Sequence, residues 1–360
     1  MVTMILFLSV YSGQSEFSYT SDYGEILGSQ TNEAPVKYAV KRLAKDGNKL
    51  DRIIAVTTNK AKETALDMFT LSVNSVSPET EIIPVNIKDT EDTASLLEKT
   101  LDKLLPLGEN EAVIIETTGG FRNASNFLSL ISRFLYANGT KILFSTYADF
   151  YSEPKCVKDT SETDELHDLL EAVNVFAATS NPELLISKVT LRQIPNARTL
   201  ISSLNNYYEM VLCCKIGQYE KIIEDLRNEI NELLNAEYTA YDISGILFRD
   251  VIRQILKKKT PFIFETDNTE SLKLFITWCL DNNYIAQALI ILMQKFIHEH
   301  NVGHKDVFER IRIYRNDISH ADWTEEVASY TITEDEIEKI RKNATVNKIK
   351  KDVEEALLLV

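Results

Sequence analysis

The sequence predicts an α/β Rossmann-like parallel-sheet domain followed by an all-α domain. Three observations predict it. Short apolar runs alternate with amphipathic stretches through the first 150 residues. After that point the alternation stops, and helical periodicity runs from Asp164 to the C-terminus. The chain has 360 residues, too many for one ordinary core.

The five apolar runs are Met4–Val10, Arg52–Thr57, Glu81–Asn86, Ala112–Thr117 and Lys141–Tyr147. They are short and rich in Val, Ile and Leu, as strands buried on both faces are. Helical patterns fall between them, at roughly 35–46, 59–73, 91–105 and 122–137 by period. Strand–helix alternation of this kind implies a parallel sheet covered on both faces. Residues 148–163 are polar and read as a loop. Helices are then expected near 164–178, 197–215, 218–235, 240–258, 268–281, 284–300, 305–320, 334–342 and 345–358, again by period. The resulting division is a sheet domain over 1–160, linking helices over 161–195 and a helical domain over 196–360. No internal repeat or low-complexity segment interrupts it.

Composition narrows the function classes. The net charge is −15, which opposes broad high-affinity binding to a nucleic-acid backbone. Residues 1–180 hold 16 basic and 26 acidic groups, and residues 181–360 hold 23 and 28, so a local basic patch belongs more naturally to the second half. A small focused site can still take RNA. Four cysteines (Cys156, Cys213, Cys214, Cys279) show no framework spacing, which predicts a reducing cytoplasm. The N-terminal apolar run is short for a signal peptide and lacks a basic flank, so it is read as a buried strand. No apolar run is long enough to span a bilayer.

Three strand ends carry the small polar residues a ligand site needs. Strand one ends in Ser9-Val10-Tyr11-Ser12-Gly13, strand two in Thr57-Thr58-Asn59, and strand four in Glu116-Thr117-Thr118-Gly119-Gly120-Phe121-Arg122-Asn123. Glycines let backbone N–H groups approach a phosphate, and a helix start favours an anion. Arg122 adds a permanent charge and a fork of donors. Neither the dinucleotide fingerprint nor a P-loop is present. On these residues alone, a tight strand-to-helix turn with a solvated arginine remains an equal reading.

In the helical half, Asp306–His320 reads DVFERIRIYRNDISH. Val307, Ile311, Tyr314 and Ile318 recur at helical spacing and predict the packed stripe. Between them sits Arg315-Asn316-Asp317-Ile318-Ser319-His320. RNA cleavage by its own 2′-hydroxyl needs a group that manages protons and a cation for the charge on the phosphate oxygens. His320 suits the first role and Arg315 the second, with Asn316 orienting either. Residues five apart lie roughly 140° apart on an ideal helix, so one regular helix does not converge Arg315 and His320. A bend near Ser319 or a second copy would. By itself the hexamer reads first as a surface His and an Arg paired with Asp317 or Glu309.

Taken in order, these motifs resemble the CARF–HEPN accessory ribonucleases of type III CRISPR systems. The resemblance covers the sheet half, the Thr-Thr-Gly-Gly-Phe-Arg turn, the stretch Leu170–Leu185 and the Arg-x-x-x-x-His hexamer. It implies an N-terminal CARF domain that binds cyclic oligoadenylate, probed best as the tetra- or hexa-adenylate ring. It implies a homodimer, with the ring over paired CARF domains. Binding would activate paired HEPN domains to cut single-stranded RNA without a metal, leaving a 2′,3′-cyclic phosphate and a 5′-hydroxyl. Arg315, Asn316 and His320 of both copies would form one catalytic pocket. Ser12, Gly13, Thr58, Thr117, Thr118, Gly119, Gly120, Arg122 and Asn123 would line the messenger pocket, where slow messenger hydrolysis is a further implied activity. The link to the CRISPR effector complex would run through the messenger. Family members often carry Asp where this chain has Glu116, which leaves that residue's role open. The alternative is a non-catalytic CARF-type sensor or dimerisation module.

Other features weigh less. His298, His300 and His304 lack the convergence of a metal site. Lys257-Lys258-Lys259, with Arg249 and Arg253, is the strongest basic patch and a candidate guide for RNA. Cys213-Cys214, Trp278 and Trp323 read first as packing residues.

Overall fold

The computed structural model describes all residues except 12, 14, 89–92, 105–110, 121–123, 192–196, 236–248, 250–252, 299–305 and 320–331. The chain divides into two compact units, Met1–Glu165 and Leu166–Val360.

The first unit is a Rossmann-like layered sheet. Its strands are β1 (Val2–Phe7), β4 (Arg52–Thr58), β5 (Glu81–Ile87), β6 (Ala112–Glu116), β7 (Lys141–Asp149) and β8 (Cys156–Asp159). A small hairpin, β2 (Phe17–Tyr19) and β3 (Ile26–Gly28), pairs separately. The sheet order is β5-β4-β1-β6-β7-β8. All pairs are parallel except β7–β8. The order runs outward in one direction from β1 to β5 and in the other from β1 to β7. The chain therefore reverses its winding between β1 and β6, at the switch point where open α/β sheets bind ligands.

Side chains of β1 alternate between the two faces. Met4 and Leu6 pack with α1 (Glu33–Lys45) and α3 (Leu66–Val76) through Tyr38, Leu43, Phe69 and Val73. Ile5 and Phe7 pack with α4 (Thr93–Leu104) and α5 (Ala124–Ala137) through Leu96, Phe127, Leu128 and Ile131. Burial on both faces explains why these strands read as unbroken apolar runs. A short helix α2 (Asn59–Thr64) precedes α3, so the predicted 59–73 helix is broken at Ala65.

The two edges of the sheet differ from its centre. Outer strand β5 carries Pro84, which has no N–H to offer a neighbour. On the other side β8 runs antiparallel to β7, and its outer flank is met by Thr20, which bonds to Lys155 and Val157. Residues 148–163 are thus the end of β7, β8 and the start of a helix, where the sequence reads as a loop. Four residues with only Val157 buried are too short for a visible alternation.

The second unit is helical. It contains most of α6 (Ser161–Thr179), α7 (Glu183–Leu191), α8 (Ala197–Cys213) and α9 (Tyr219–Asn235). After these come a helical segment at 253–259 and the helices Asn268–Asp281, Ile285–Ile291, Asp306–Ser319, Glu334–Lys342 and Val346–Leu357. Ile285–Ile291 continues as a π-helix over Leu292–His298. Helix α7 lies in the stretch read as linking helices, but the sequence assigns it no bounds. Its amphipathic signal is weak because the segment is only nine residues long.

Aromatic residues centre this core. Phe275 stacks on Trp278, and Trp278 stacks on Tyr284. The polar tips are all satisfied. Trp278 Nε1 donates to the Ala177 carbonyl at 2.8 Å, Tyr284 Oη donates to that of Thr179, and Tyr207 Oη accepts from Ser180 Oγ. Trp278 is therefore a core residue; Trp323 lies outside the described residues.

Candidate functional site

The switch point brings the ends of β4, β1 and β6 side by side. Phe7 pairs in register with Val56, and Leu6 with Glu116. Parallel neighbours lie about 4.8 Å apart, so three polar strand ends occupy one narrow stretch of sheet edge. Of the residues the sequence assigns there, Gly13, Thr58, Thr117, Thr118, Gly119 and Gly120 are described. Ser12, Arg122 and Asn123 lie outside the described residues.

Each described residue has a local task. Thr58 caps α2, accepting a hydrogen bond from the Ala61 amide. Thr117 Oγ1 donates to the Thr146 carbonyl at 3.2 Å. Thr118 Oγ1 accepts from the Ala148 amide at 2.7 Å. Both threonines are half-buried and tie the turn to β7, and the Thr118 side chain also hydrogen-bonds the Glu116 carboxyl. Gly120 has a φ of +99°, which favours glycine, and is exposed. Its amide donates to Ser9 Oγ at 3.3 Å. Gly13, also left-handed, is exposed in the loop after β1.

Gly119 is different, because it is buried. A Cβ there would overlap the Phe7 carbonyl oxygen and the side-chain amide of Asn32. Glycine at 119 is required by the close passage of these groups.

Asn32 is the residue that sequence reasoning missed. It stands at the N-cap of α1 and is fully buried. Its Nδ2 donates to the Phe7 carbonyl at 2.9 Å and to Glu116 Oε2 at 2.5 Å. Its Oδ1 accepts from the Ser9 amide at 2.9 Å and from Gln30 Nε2 at 2.8 Å. Gln30 also donates to the Ser9 carbonyl and accepts from the Asn32 amide. Glu116, fully buried, completes the set by accepting from the Thr118 amide through Oε1 at 2.7 Å. Burial pushes the Glu116 carboxyl up to about 7, against hydrogen bonds from Thr118 and Asn32 that favour the anion. The polar run Ser29-Gln30-Thr31-Asn32 before an amphipathic helix signals a cap. It does not signal a side chain directed across two strands.

The second set of residues lies on the helix Asp306–Ser319. Val307, Phe308, Ile311 and Tyr314 enter the core. Ile318, assigned to the packed stripe from its spacing, is instead 45% exposed, because the last turn extends past the packed cluster. Arg315 and Asn316 are half-buried, and Arg315 Nη1 donates to Asn316 Oδ1 at 2.9 Å. Neither carboxylate weighed as a partner for Arg315 takes it. Asp317 faces Arg341, and Glu309 pairs with Arg312. His320 lies outside the described residues.

This helix is fixed by a buried charge cluster. Asp352, fully buried, accepts from Arg310 through both carboxylate oxygens, from Tyr314 Oη at 2.8 Å and from Lys348 Nζ at 2.8 Å. Burial works against ionisation there, and the donors of Arg310, Lys348 and Tyr314 outweigh it, so its carboxyl titrates below the usual range. Elsewhere in the unit an open groove of about 470 Å³ is lined by Gln218, Lys221, Asn268 and Lys295 among others, none of them an expected site residue. Lys259 of the basic run donates to Asn174.

No protein family matches the sequence, and no curated protein does. Among solved structures, the chain is similar to Enterococcus italicus Csm6 bound to cyclic hexa-2′-fluoro-hexa-dAMP. The identity is 10%, covering 99% of this chain and 93% of that one, with a TM-score of 0.38. Among the described residues, no helix is long and apolar enough to cross a membrane.

Proposed function

We propose that this chain is a messenger-activated, metal-independent endoribonuclease. The carrying observation is the convergence of three polar strand ends at the switch point of the first unit, in a chain whose second unit bears the Arg315–His320 hexamer. The first unit takes a cyclic oligoadenylate of four or six residues. The exposed Gly13 and Gly120 and the half-buried Thr118 line the site for phosphate and ribose oxygens, with Arg122, Asn123 and Ser12 joining them. Slow hydrolysis of the ring would use the ribose 2′-hydroxyl aligned near Thr117 and Thr118. A two-fold pair of chains presents two such edges to one ring, which is why even ring sizes are favoured.

In the second unit, the substrate is single-stranded RNA. His320 accepts the proton of a ribose 2′-hydroxyl as that oxygen attacks the adjacent phosphorus. Arg315 holds the phosphate oxygens and stabilises their growing charge. The P–O5′ bond breaks, the leaving O5′ takes its proton from a protonated His320 of the shared pocket, and the products are a 2′,3′-cyclic phosphate and a 5′-hydroxyl. Among the described residues Arg315 is bonded to Asn316, an arrangement compatible with a guanidinium that holds a phosphate. Asn316 orients Arg315 through their hydrogen bond. Residues five apart lie roughly 140° apart on an ideal helix, which supports a pocket shared between two copies. Residues 1–160 sense, 161–195 couple and 196–360 cut.

The test is an RNA cleavage assay with cyclic tri-, tetra- and hexa-adenylate, each with and without EDTA. We expect activation by an even ring, insensitive to EDTA. His320→Ala should lower the activated rate by about 10² to 10⁴ while leaving ring binding intact. Absence of activation by every ring would remove the sensor assignment. A His320→Ala variant as fast as the parent would remove the mechanism.

A further inference from the structure

An asparagine at a helix N-cap ordinarily accepts a hydrogen bond from an amide of the first turn. Asn32 makes no such bond; its backbone is already helical and its side chain is directed elsewhere. All its side-chain donors and acceptors are engaged across the sheet edge, on Phe7, Ser9, Gln30 and Glu116. Glu116 passes the connection on to the Thr118 amide. The result is one buried chain of hydrogen bonds from the end of β1 to the turn after β6, the two strands that flank the switch point. Gly119 sits directly on the Asn32 amide. A local helix rule is broken while a cross-strand polar network is fully satisfied, and such breaks concentrate at functional sites. A buried carboxylate with mixed partners is also a costly way to join two strands that already share a parallel ladder.

We propose that Asn32 and Glu116 are positioning residues of the switch-point site. They fix the loop after β1 and the Thr118–Gly120 turn as one rigid face for a phosphate-bearing ring. Neither touches the ligand. Asn32 sets the β1 side and Glu116 the turn side, and each acts through the other. The ligand class rests on the reading given above; the coupling between the two strand ends does not.

Three variants and two readouts test it. Asn32→Ala and Glu116→Gln break the network from opposite ends. Glu116→Gln keeps an oxygen for Thr118 but sets an amide against the Asn32 amide. Leu43→Ala, in the same helix and buried on the apolar face, is the matched control for lost stability. Amide hydrogen exchange on the unliganded chain is the first readout. In Asn32→Ala the remote Thr118 amide should exchange at least tenfold faster, and in Glu116→Gln the remote Ser9 amide should do so. The amides of Ile54 and Ala55 in β4 should keep the parent rate. Calorimetric binding of cyclic tetra- and hexa-adenylate is the second, with affinity falling at least tenfold in both variants and held in Leu43→Ala. The proposal is overturned if the remote amides keep the parent rate, if β4 loosens equally, or if Leu43→Ala loses as much affinity. Should the parent bind neither ring, the ligand reading fails by itself and the exchange pattern alone decides the positioning claim.

Discussion

Gly119 and Glu116 carry the sharpest consequences at the scale of single residues. Gly119→Ala places a methyl group on the Phe7 carbonyl and the Asn32 amide. Overpacking of this kind costs roughly 1–3 kcal/mol, and urea unfolding should record that loss. Glu116 makes stability depend on pH in a direction opposite to most carboxylates. Its folded value is raised from 4.5 to about 7, so the folded chain holds a proton that the unfolded chain releases. The stability it contributes is complete below about 4.5 and is lost as pH rises towards 7. At 1.36 kcal/mol per unit the whole effect is about 3 kcal/mol. Unfolding free energies of the parent from pH 5 to 8 should therefore contain a decline that Glu116→Gln lacks. An equal decline in both would show that Glu116 is not the titrating group. Thr58, Thr117, Thr118 and the two glycines were legible in the sequence as polar strand ends before helices. Asn32 was not, because a cap residue's identity says nothing about which way its side chain turns.

At the scale of elements, the helix Asp306–Ser319 depends on Asp352. Removing one partner of a buried charge cluster leaves the others uncompensated, at a cost of roughly 3–5 kcal/mol. Asp352→Ala strands Tyr314 Oη and leaves Arg310 with Glu355 alone, at 3.5 Å. Chemical denaturation of the variant should show a loss in that range, and RNA cleavage should fall with it because Arg315 rides on the same helix. An unchanged unfolding midpoint would mean that the cluster is solvated in solution. Helix positions were read well where a stripe of apolar residues met a core, as in Asn268–Asp281 and Glu334–Lys342, whose bounds the periodicity gives residue for residue. The short elements β2, β3 and β8 escaped and α7 gained no bounds, since three to nine residues hold less than three turns or two full alternations of pattern. Ile318 shows the converse failure: its spacing matches the stripe, yet the core ends before it.

For the whole molecule, a net charge of −15 sets how RNA arrives. Proteins that bind through many phosphate contacts lose affinity steeply with salt. Here the summed field repels the substrate and salt screens that repulsion. The rate constant kcat/KM for a short RNA should change by less than about tenfold between roughly 20 and 200 mM salt, and a steep fall would reveal a broad basic track. The division into a sheet unit and a helical unit was plain from the change of period near residue 150, because parallel strands and amphipathic helices leave different repeats. The boundary itself falls inside α6, where no change of period marks it.

Pro84 on one flank of the sheet and Thr20 across β8 on the other bear on assembly. A bare flank is a template on which a second chain can lay a strand, and repetition of that act grows fibrils. Pro84 removes one donor from the β5 strand, and Thr20 takes up one position beside β8, so each flank is a poorer template for strand addition. Two-fold pairing of the unit would then fall more readily to its helices and strand-end loops, and such a closed pair stops at two where a ribbon would not.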